Sequence, residues 1–114
     1  MKQASAPNDL LQGTLDMLIL KVLALEPMHG FGIAQRIEQI SGERLKVQPG
    51  SLYPALHRLT RHKSLLSEWK TTENNRTAKY YRLSATGKRQ LDAETQRWHE
   101  LSAVVLLVLN TTGV

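Results

Sequence analysis

The stretch from Gln48 to Leu66 constrains the fold of this chain more than any other. It begins with the turn-forming sequence Pro-Gly-Ser and continues as a short amphipathic helix, with Leu52, Leu56 and Leu59 at helical spacing. The side away from these leucines carries cations, hydrogen-bonding groups and an aromatic ring. Such a helix can dock on a small core and enter a DNA major groove, although many ordinary surface helices share this pattern.

Two starting points are compatible with this helix. If Ser51 caps it, Pro54 lies in the first turn, where the missing N–H of proline costs little. If the helix begins at Pro49 instead, Pro54 removes a backbone hydrogen bond to Gly50. The sequence leaves both possibilities open.

The residues after this helix change to the alternating pattern of a β-hairpin. From Leu65 to Leu83, two strand-like segments flank Glu73-Asn74-Asn75-Arg76, which is typical of a turn. The hairpin carries four basic side chains: Lys70, Arg76, Lys79 and Arg82. A basic hairpin directly after such a helix is typical of a wing that contacts the phosphate backbone.

Positive charge is concentrated in the same third of the chain. Nine of the 15 Lys and Arg residues lie between His57 and Arg89, where only two of the ten acidic residues lie. A local positive field of this kind favours a polyanionic partner, nucleic acid before an acidic membrane. A basic surface that serves solubility alone has the same composition.

Two apolar segments precede this unit. The first, from Leu10 to Leu25, is apolar nearly all round, so we expect a helix that is buried on two sides. A Glu-Pro pair ends it. The second has Ile33, Ile37 and Ile40 at helical spacing and ends at Gly42. Three short helices, with a compact turn between the second and the third, match a helix-turn-helix arrangement.

A long final helix is predicted from Ala85 to Leu109, with Ser84 as its cap. Leu91, Trp98 and Val105 are spaced by seven, as in a coiled-coil seam that is too short to be stable alone. Together with the apolar first helix, this seam predicts a homodimer built from the first and last helices.

Several classes of function are disfavoured. The chain has no cysteine, which excludes disulfides and fits a reducing cytoplasm, and its longest apolar run is far below a membrane span. The N-terminus lacks the apolar core of a signal peptide, so we expect a cytoplasmic protein. Ser51 and His57 lack an acidic residue spaced to orient the histidine, and His57 and His62 are not spaced to share a metal. We therefore expect no enzyme activity, cofactor, metal or membrane partner.

These patterns predict a mainly α fold with a β-hairpin, namely a winged helix-turn-helix followed by a long C-terminal dimerisation helix. Three parts are expected: a flexible arm at 1–9, a DNA-binding domain at 10–84 and the dimerisation helix at 85–114. The expected partners are double-stranded DNA and a second copy of the chain.

Four segments resemble the PadR family of winged-helix transcriptional regulators, in its short form with one C-terminal helix. They are LLQGTLDMLILKVL (10–23), MHGFGIAQRIEQISG (28–42), GSLYPALHRL (50–59) and KYYRLSATGKRQL (79–91). The resemblance implies a dimeric repressor that binds a pseudo-palindromic operator. The resemblance also implies a possible effector, because several relatives bind a small planar, apolar molecule near the dimer interface. The family usually has glycine and then an apolar residue where this chain has Lys63 and Ser64.

The candidate site residues combine the two lines of reasoning. Arg58 and Arg61 can fork onto guanine, Ser51 at the helix start can help to hold a phosphate, and the resemblance implies that Trp98 stacks flat ligands. The predicted DNA-binding residues are Ser51, Tyr53, Pro54, His57, Arg58, Arg61, Lys70, Asn75, Arg76, Lys79 and Tyr81. The predicted effector pocket or dimer interface comprises Leu15, Leu18, Trp98, Leu101 and Val105. The alternative is a winged-helix module that binds a protein partner and has no operator of its own.

Overall fold

The computed structural model describes the backbone of residues 7–113 and the side chains of 13–113. In chain order its elements are α1 (Pro7–Leu25), β1 (Met28–His29), α2 (Gly30–Ile40), α3 (Pro49–Arg61), β2 (Leu65–Thr71), β3 (Thr77–Leu83) and α4 (Ala85–Leu109). The predicted fold class is confirmed: α1, α2 and α3 precede a β-hairpin, and a long helix follows it. Residues 1–6 of the predicted arm lie outside the described residues, and α1 begins at Pro7, three residues earlier than expected.

The hairpin belongs to a three-stranded antiparallel sheet in the order β1-β3-β2. The short strand β1 was not predicted from the sequence; in it, Met28 and His29 pair with Tyr81 and Tyr80. A two-residue strand is too short to show an alternating pattern, so only its tertiary partner reveals it. Through this strand, the start of α2 is attached to the wing.

A single apolar core joins α1, α2, α3 and the sheet. Leu52, Leu56 and Leu59 are buried, as the helical stripe predicted, and they pack with Ile19 and Ile33. One position of the second stripe was wrong, because Ile40 in the last turn of α2 is exposed. The core thus fixes one side of α3 and leaves its other side at the surface.

The structure resolves where α3 begins and how it ends. Gln48 is the N-cap and Pro49 occupies the first turn, so Ser51 lies within the helix and Pro54 interrupts its hydrogen bonding. At the other end, Lys63 has a φ of 63°, in the left-handed region where relatives have glycine. The N–H groups of Lys63 and Ser64 donate to Thr60 and Leu59, both at 2.9 Å, which completes a Schellman cap despite the lysine.

The predicted bounds and cap of α4 are confirmed. The Ser84 hydroxyl oxygen accepts from the Gly87 N–H at 3.0 Å, and the Ser84 N–H donates to the Ser64 carbonyl at 3.1 Å. The end of α3 and the start of α4 are therefore joined through backbone groups. None of the helices described between residues 7 and 113 is long and apolar enough to cross a lipid bilayer.

Candidate nucleic-acid interface

The outer side of α3 is open to solvent. Five predicted site residues of α3 are exposed, namely Ser51, Tyr53, Pro54, His57 and Arg61, and so are Pro49 and Gly50 at its start. Tyr53 lies over the backbone of α2, where a Cβ added at Gly30 would be only 2.9 Å from the Tyr53 ring. The bare glycine therefore lets the ring approach α2 closely while part of it remains exposed.

The wing presents most of its predicted polar residues at the surface. Lys70, Asn75 and Arg76 are exposed, and Asn75 has a φ of 61°, which asparagine tolerates better than most residues. Lys70 Nζ lies 5.4 Å from the centroid of the Tyr80 ring, and Lys79 Nζ lies 5.8 Å from that of Trp69. These distances are within the range of cation–π attraction, which holds the two ammonium groups against the wing.

A groove of about 650 Å³ lies between the wing and the start of α2, and one residue of α3 contributes to its lining. Tyr53 of α3 meets Arg76 and Lys79 of the wing in this lining, together with Trp69. Lys70 lies beside Tyr80 on the other face of the hairpin, because successive strand residues point to opposite faces. The groove also contains Phe31, which the sequence analysis did not place in the site. Phe31 and Trp69 are each 66 % exposed, which is unusual for large aromatic side chains. The position of Phe31 between two glycines at the start of α2 is the sequence feature that could have indicated its exposure.

Arg58 does not share the open side of α3. Its Nη2 donates to Asp16 Oδ1 on α1 at 2.8 Å, in an ion pair that is largely shielded from solvent. The reason is helical geometry, since each residue turns by about 100° and Arg58 therefore points away from the direction of His57. The prediction that Arg58 directly forks onto a base is corrected to a contact within the subunit.

Tyr81 is the second correction on this surface. Its side chain is 4 % exposed and belongs to the apolar core, because this position of β3 faces inward. Burial raises the pKa of the Tyr81 hydroxyl, with a smaller contribution from Tyr53. The ring lies at the floor of the groove beside the wing, with little of it exposed.

A second cavity, a cleft of about 640 Å³, lies between α1 and α4. Its apolar lining includes Met17, Trp98, Leu101 and Val104, and Trp98 is 44 % exposed. Leu15, Leu18 and Val105 were predicted in the same set and are absent from this lining. Of these, Leu15 is buried in the subunit's own core, Leu18 packs against that core and Val105 is exposed elsewhere on α4.

The cleft is also rich in charge. Asp16, Glu94 and Glu100 line it together with Arg97. Burial raises the pKa of the Asp16 carboxyl, and the attraction of Arg58 offsets only part of this effect. The aromatic ring of Trp98 therefore lies beside a surface with more acidic than basic groups.

Comparison with known proteins decides the family. The model of the transcriptional regulator PadR-like family matches residues 19–93, which include α2, α3, the wing and the first part of α4. The chain belongs to the PadR family of transcriptional regulators. The predicted family is thereby confirmed.

Individual relatives agree with this assignment. A transcriptional regulator of Mycobacterium tuberculosis, Rv3488, is 33% identical over 88 residues, which cover 77% of this chain and 78% of the relative. The crystal structure of a PadR family regulator from Eggerthella lenta has a TM-score of 0.80 and 32% identity, and the match covers 91% of this chain and 88% of that one. A PadR-like transcription factor from Bacteroides fragilis has a TM-score of 0.73 and 31% identity, with coverage of 88% and 94%.

Proposed function

We propose that this PadR-family protein is a homodimeric repressor that binds a pseudo-palindromic operator. The observation that supports it best is the shared groove, where Tyr53 of α3 faces Arg76 and Lys79 of the wing. A duplex whose major groove receives α3 would pass its phosphate backbone along the wing. We also propose a cytoplasmic location, where operator DNA is accessible.

The exposed residues of α3 divide by their chemistry. Arg61 carries the forked guanidinium that can donate to guanine O6 and N7, and His57 lies one turn before it on the same side. Ser51, exposed near the start of the helix, offers its hydroxyl to a phosphate, since its N–H already donates to the Gln48 carbonyl. Arg76 and Lys79 add phosphate contacts that raise affinity without selecting sequence.

The surface of α4 supports the homodimer. Trp98, Leu101, Val105 and Val108 are all exposed although they form one seam along the helix. An apolar surface of this extent marks an interaction site, and a second α4 presents a matching seam. In such a dimer the two α3 helices would enter successive major grooves about 34 Å apart.

The cleft beside this seam supports binding of an effector. The exposed ring of Trp98, with Met17 and Leu101, offers a flat apolar surface that a small planar ligand can stack on. A ligand there lowers operator affinity only if it binds better to the dimer that does not hold DNA. We propose release of the operator as its effect.

The proposal is tested by selecting binding sites from genomic fragments and measuring affinity for the recovered site. Arg61→Ala should weaken operator binding by about 5- to 150-fold, the range expected for losing a bidentate base contact. Arg89→Ala removes the same charge from the exposed start of α4 and serves as the matched control. Equal affinities of wild type and Arg61→Ala at one salt concentration would contradict the assignment.

A protein-binding module is the second candidate. It is supported by Phe31 and Trp69, whose exposed rings resemble the anchors of protein interfaces more than a phosphate-binding surface. This module would show no preference among genomic fragments beyond nonspecific, salt-sensitive binding. The same selection experiment therefore separates the two functions.

A further inference from the structure

Two carboxylates that line the α1–α4 cleft are each connected to α3 by hydrogen bonds, one directly and one through other side chains. Asp16 is the first, and its Oδ1 accepts from Arg58 Nη2 in the middle of α3 at 2.8 Å. Arg58 is partly buried at this point, so the guanidinium is held by α1 and is not free in solvent. This bond links the cleft wall to the middle of α3.

Glu94 is the second carboxylate, and it reaches the end of α3 through a chain of hydrogen bonds. Glu94 Oε2 accepts from Gln90 Nε2 at 2.7 Å, and Gln90 Oε1 accepts from the hydroxyl of Ser64. Ser64 is 1 % exposed, and its N–H donates to the Leu59 carbonyl in the last turn of α3 at 2.9 Å. The cleft is thus connected to both the middle and the end of the same helix.

The chain through Ser64 depends on a departure of this sequence from the family pattern. An apolar side chain in its place has no group that could donate to Gln90. The Ser64 backbone also accepts from the Ser84 N–H at the start of α4, so a displacement at Ser64 involves both helices. Lys63 before it is held in the left-handed conformation, so the backbone at this end of the helix is strained.

The charges around the cleft indicate what would disturb these bonds. Asp16 is repelled by Glu94 and attracted by Arg58 and His62, while Glu100 and Arg97 complete the charged lining. Three carboxylates thus face one guanidinium in the lining. A ligand that stacks on Trp98 and carries a positive group can compete with Arg58 and Gln90 for the carboxylates.

We propose that Asp16 and Glu94 transmit occupancy of the cleft by an aromatic cation to α3, through Arg58 and through Gln90 and Ser64. This inference rests on the proposed operator and effector binding, and it names the route between them. When the cation draws the carboxylates away, α3 loses its attachment at two points and takes up a position with lower operator affinity. Asp16, Gln90 and Ser64 are positioning residues that need no contact with DNA.

The test uses two probes of matched shape, 1-naphthylmethylammonium and the neutral 1-naphthalenemethanol. Their binding is followed by quenching of Trp98 in a Trp69→Phe background, which leaves a single tryptophan. Operator affinity is measured with and without each probe at constant salt. The cation should lower operator affinity about 10-fold, within the usual range of coupling between two sites, and the neutral probe should have a clearly smaller effect.

Ser64→Ala is the decisive variant because it removes the hydroxyl at a distance from the cleft lining. It should bind the cation with nearly unchanged affinity while the coupling factor falls, because only the route through Arg58 remains. Asp16→Asn should reduce the factor through the other route. Thr86→Ala, which removes an exposed hydroxyl from α4, should have the same coupling factor as the wild type. Full coupling in both Ser64→Ala and Asp16→Asn, or equal coupling by the two probes, would overturn the inference.

Hydrogen exchange keeps this test separate from that of operator binding. In the wild type, the cation should speed amide exchange in the last turn of α3 and around residues 63 and 64, and this change should be much smaller in Ser64→Ala. If no operator is found, the proposed repressor fails while exchange still decides the route. If neither probe binds, or if the cation binds without changing exchange, the inference fails and operator binding stands.

Discussion

Arg58 Nη2 on α3 lies 2.8 Å from Asp16 Oδ1 on α1, and the pair is largely shielded from solvent. Burial of the carboxyl outweighs the attraction of the guanidinium, so the pKa of Asp16 is raised from its ordinary value of 3.8. The ion pair therefore positions α3, but keeping the Asp16 carboxylate away from water lowers the free energy of unfolding. Buried ion pairs commonly have this balance.

Asp16→Asn should reveal that penalty through the pH dependence of stability. Between pH 3.8 and the raised pKa, the folded protein binds more protons at Asp16 than the unfolded chain does, so stability falls as pH rises. The unfolding free energy of the wild type relative to Asp16→Asn should be greatest at low pH and should decline toward neutral pH. Urea denaturation of both proteins from about pH 4 to about pH 7 measures this, and a difference that grows with pH would contradict it.

Lys63→Gly should stabilise the protein by about 1 kcal/mol, because a left-handed conformation costs non-glycine residues about 1–2 kcal/mol and glycine loses some of this gain through its greater freedom when unfolded. The φ of 63° at Lys63 is the basis for this expectation. Asn75→Gly is the matched control, since its φ of 61° is similar but asparagine tolerates it. Its gain should be smaller. Denaturation midpoints at neutral pH provide the measurement, and a destabilised Lys63→Gly would be incompatible with this account.

Gly87→Ala should destabilise the protein strongly, by about 2 kcal/mol or more, as expected for overpacking against rigid backbone. A Cβ at Gly87 would overlap the Ser64 carbonyl oxygen and lie 2.7 Å from Leu83 Cδ1. Gly13→Ala is the control, because a Cβ at that position of α1 meets nothing within 4 Å. It should be neutral or stabilising by about 0.5–1 kcal/mol, as a helical glycine replaced by alanine usually is. Thermal denaturation of the two variants should give shifts of opposite sign or very different size.

Leu101→Glu should dissociate the proposed dimer, because it places a charge in the α4 seam. Leu107→Glu, which introduces the same charge at an exposed position off that seam, should leave the dimer intact. Sedimentation velocity over a range of protein concentrations distinguishes the two outcomes. Dimers of equal stability in both variants would show that this seam is not the interface.

Arg76→Ala should reduce the salt dependence of operator binding. Losing one phosphate contact lowers the slope of log affinity against log salt by about 1 and weakens binding to all sequences alike. The exposed position of Arg76 beside the groove supports this role. Binding measured at four or more salt concentrations checks it, with Arg44→Ala as a charge-matched control on the connector after α2.

Local patterns were sufficient for most of the fold. The stripe of Leu52, Leu56 and Leu59 predicted the buried side of α3, and Ser84 predicted the start of α4, because helical period and capping are properties of neighbouring residues. The change to alternation at Leu65 likewise predicted the first wing strand. The strand at Met28 was not predictable in this way, since its hydrogen-bond partners lie on β3.

By itself, the sequence determined the family, the order of the helices, the hairpin and the concentration of positive charge. Only the tertiary structure decided which of these side chains are available at the surface. Arg58 and Tyr81 carry groups suited to DNA, yet one is paired with Asp16 and the other is buried beneath the wing. The physical reason is that residue type and spacing set what a side chain can do, whereas burial and pairing depend on elements far away in the chain.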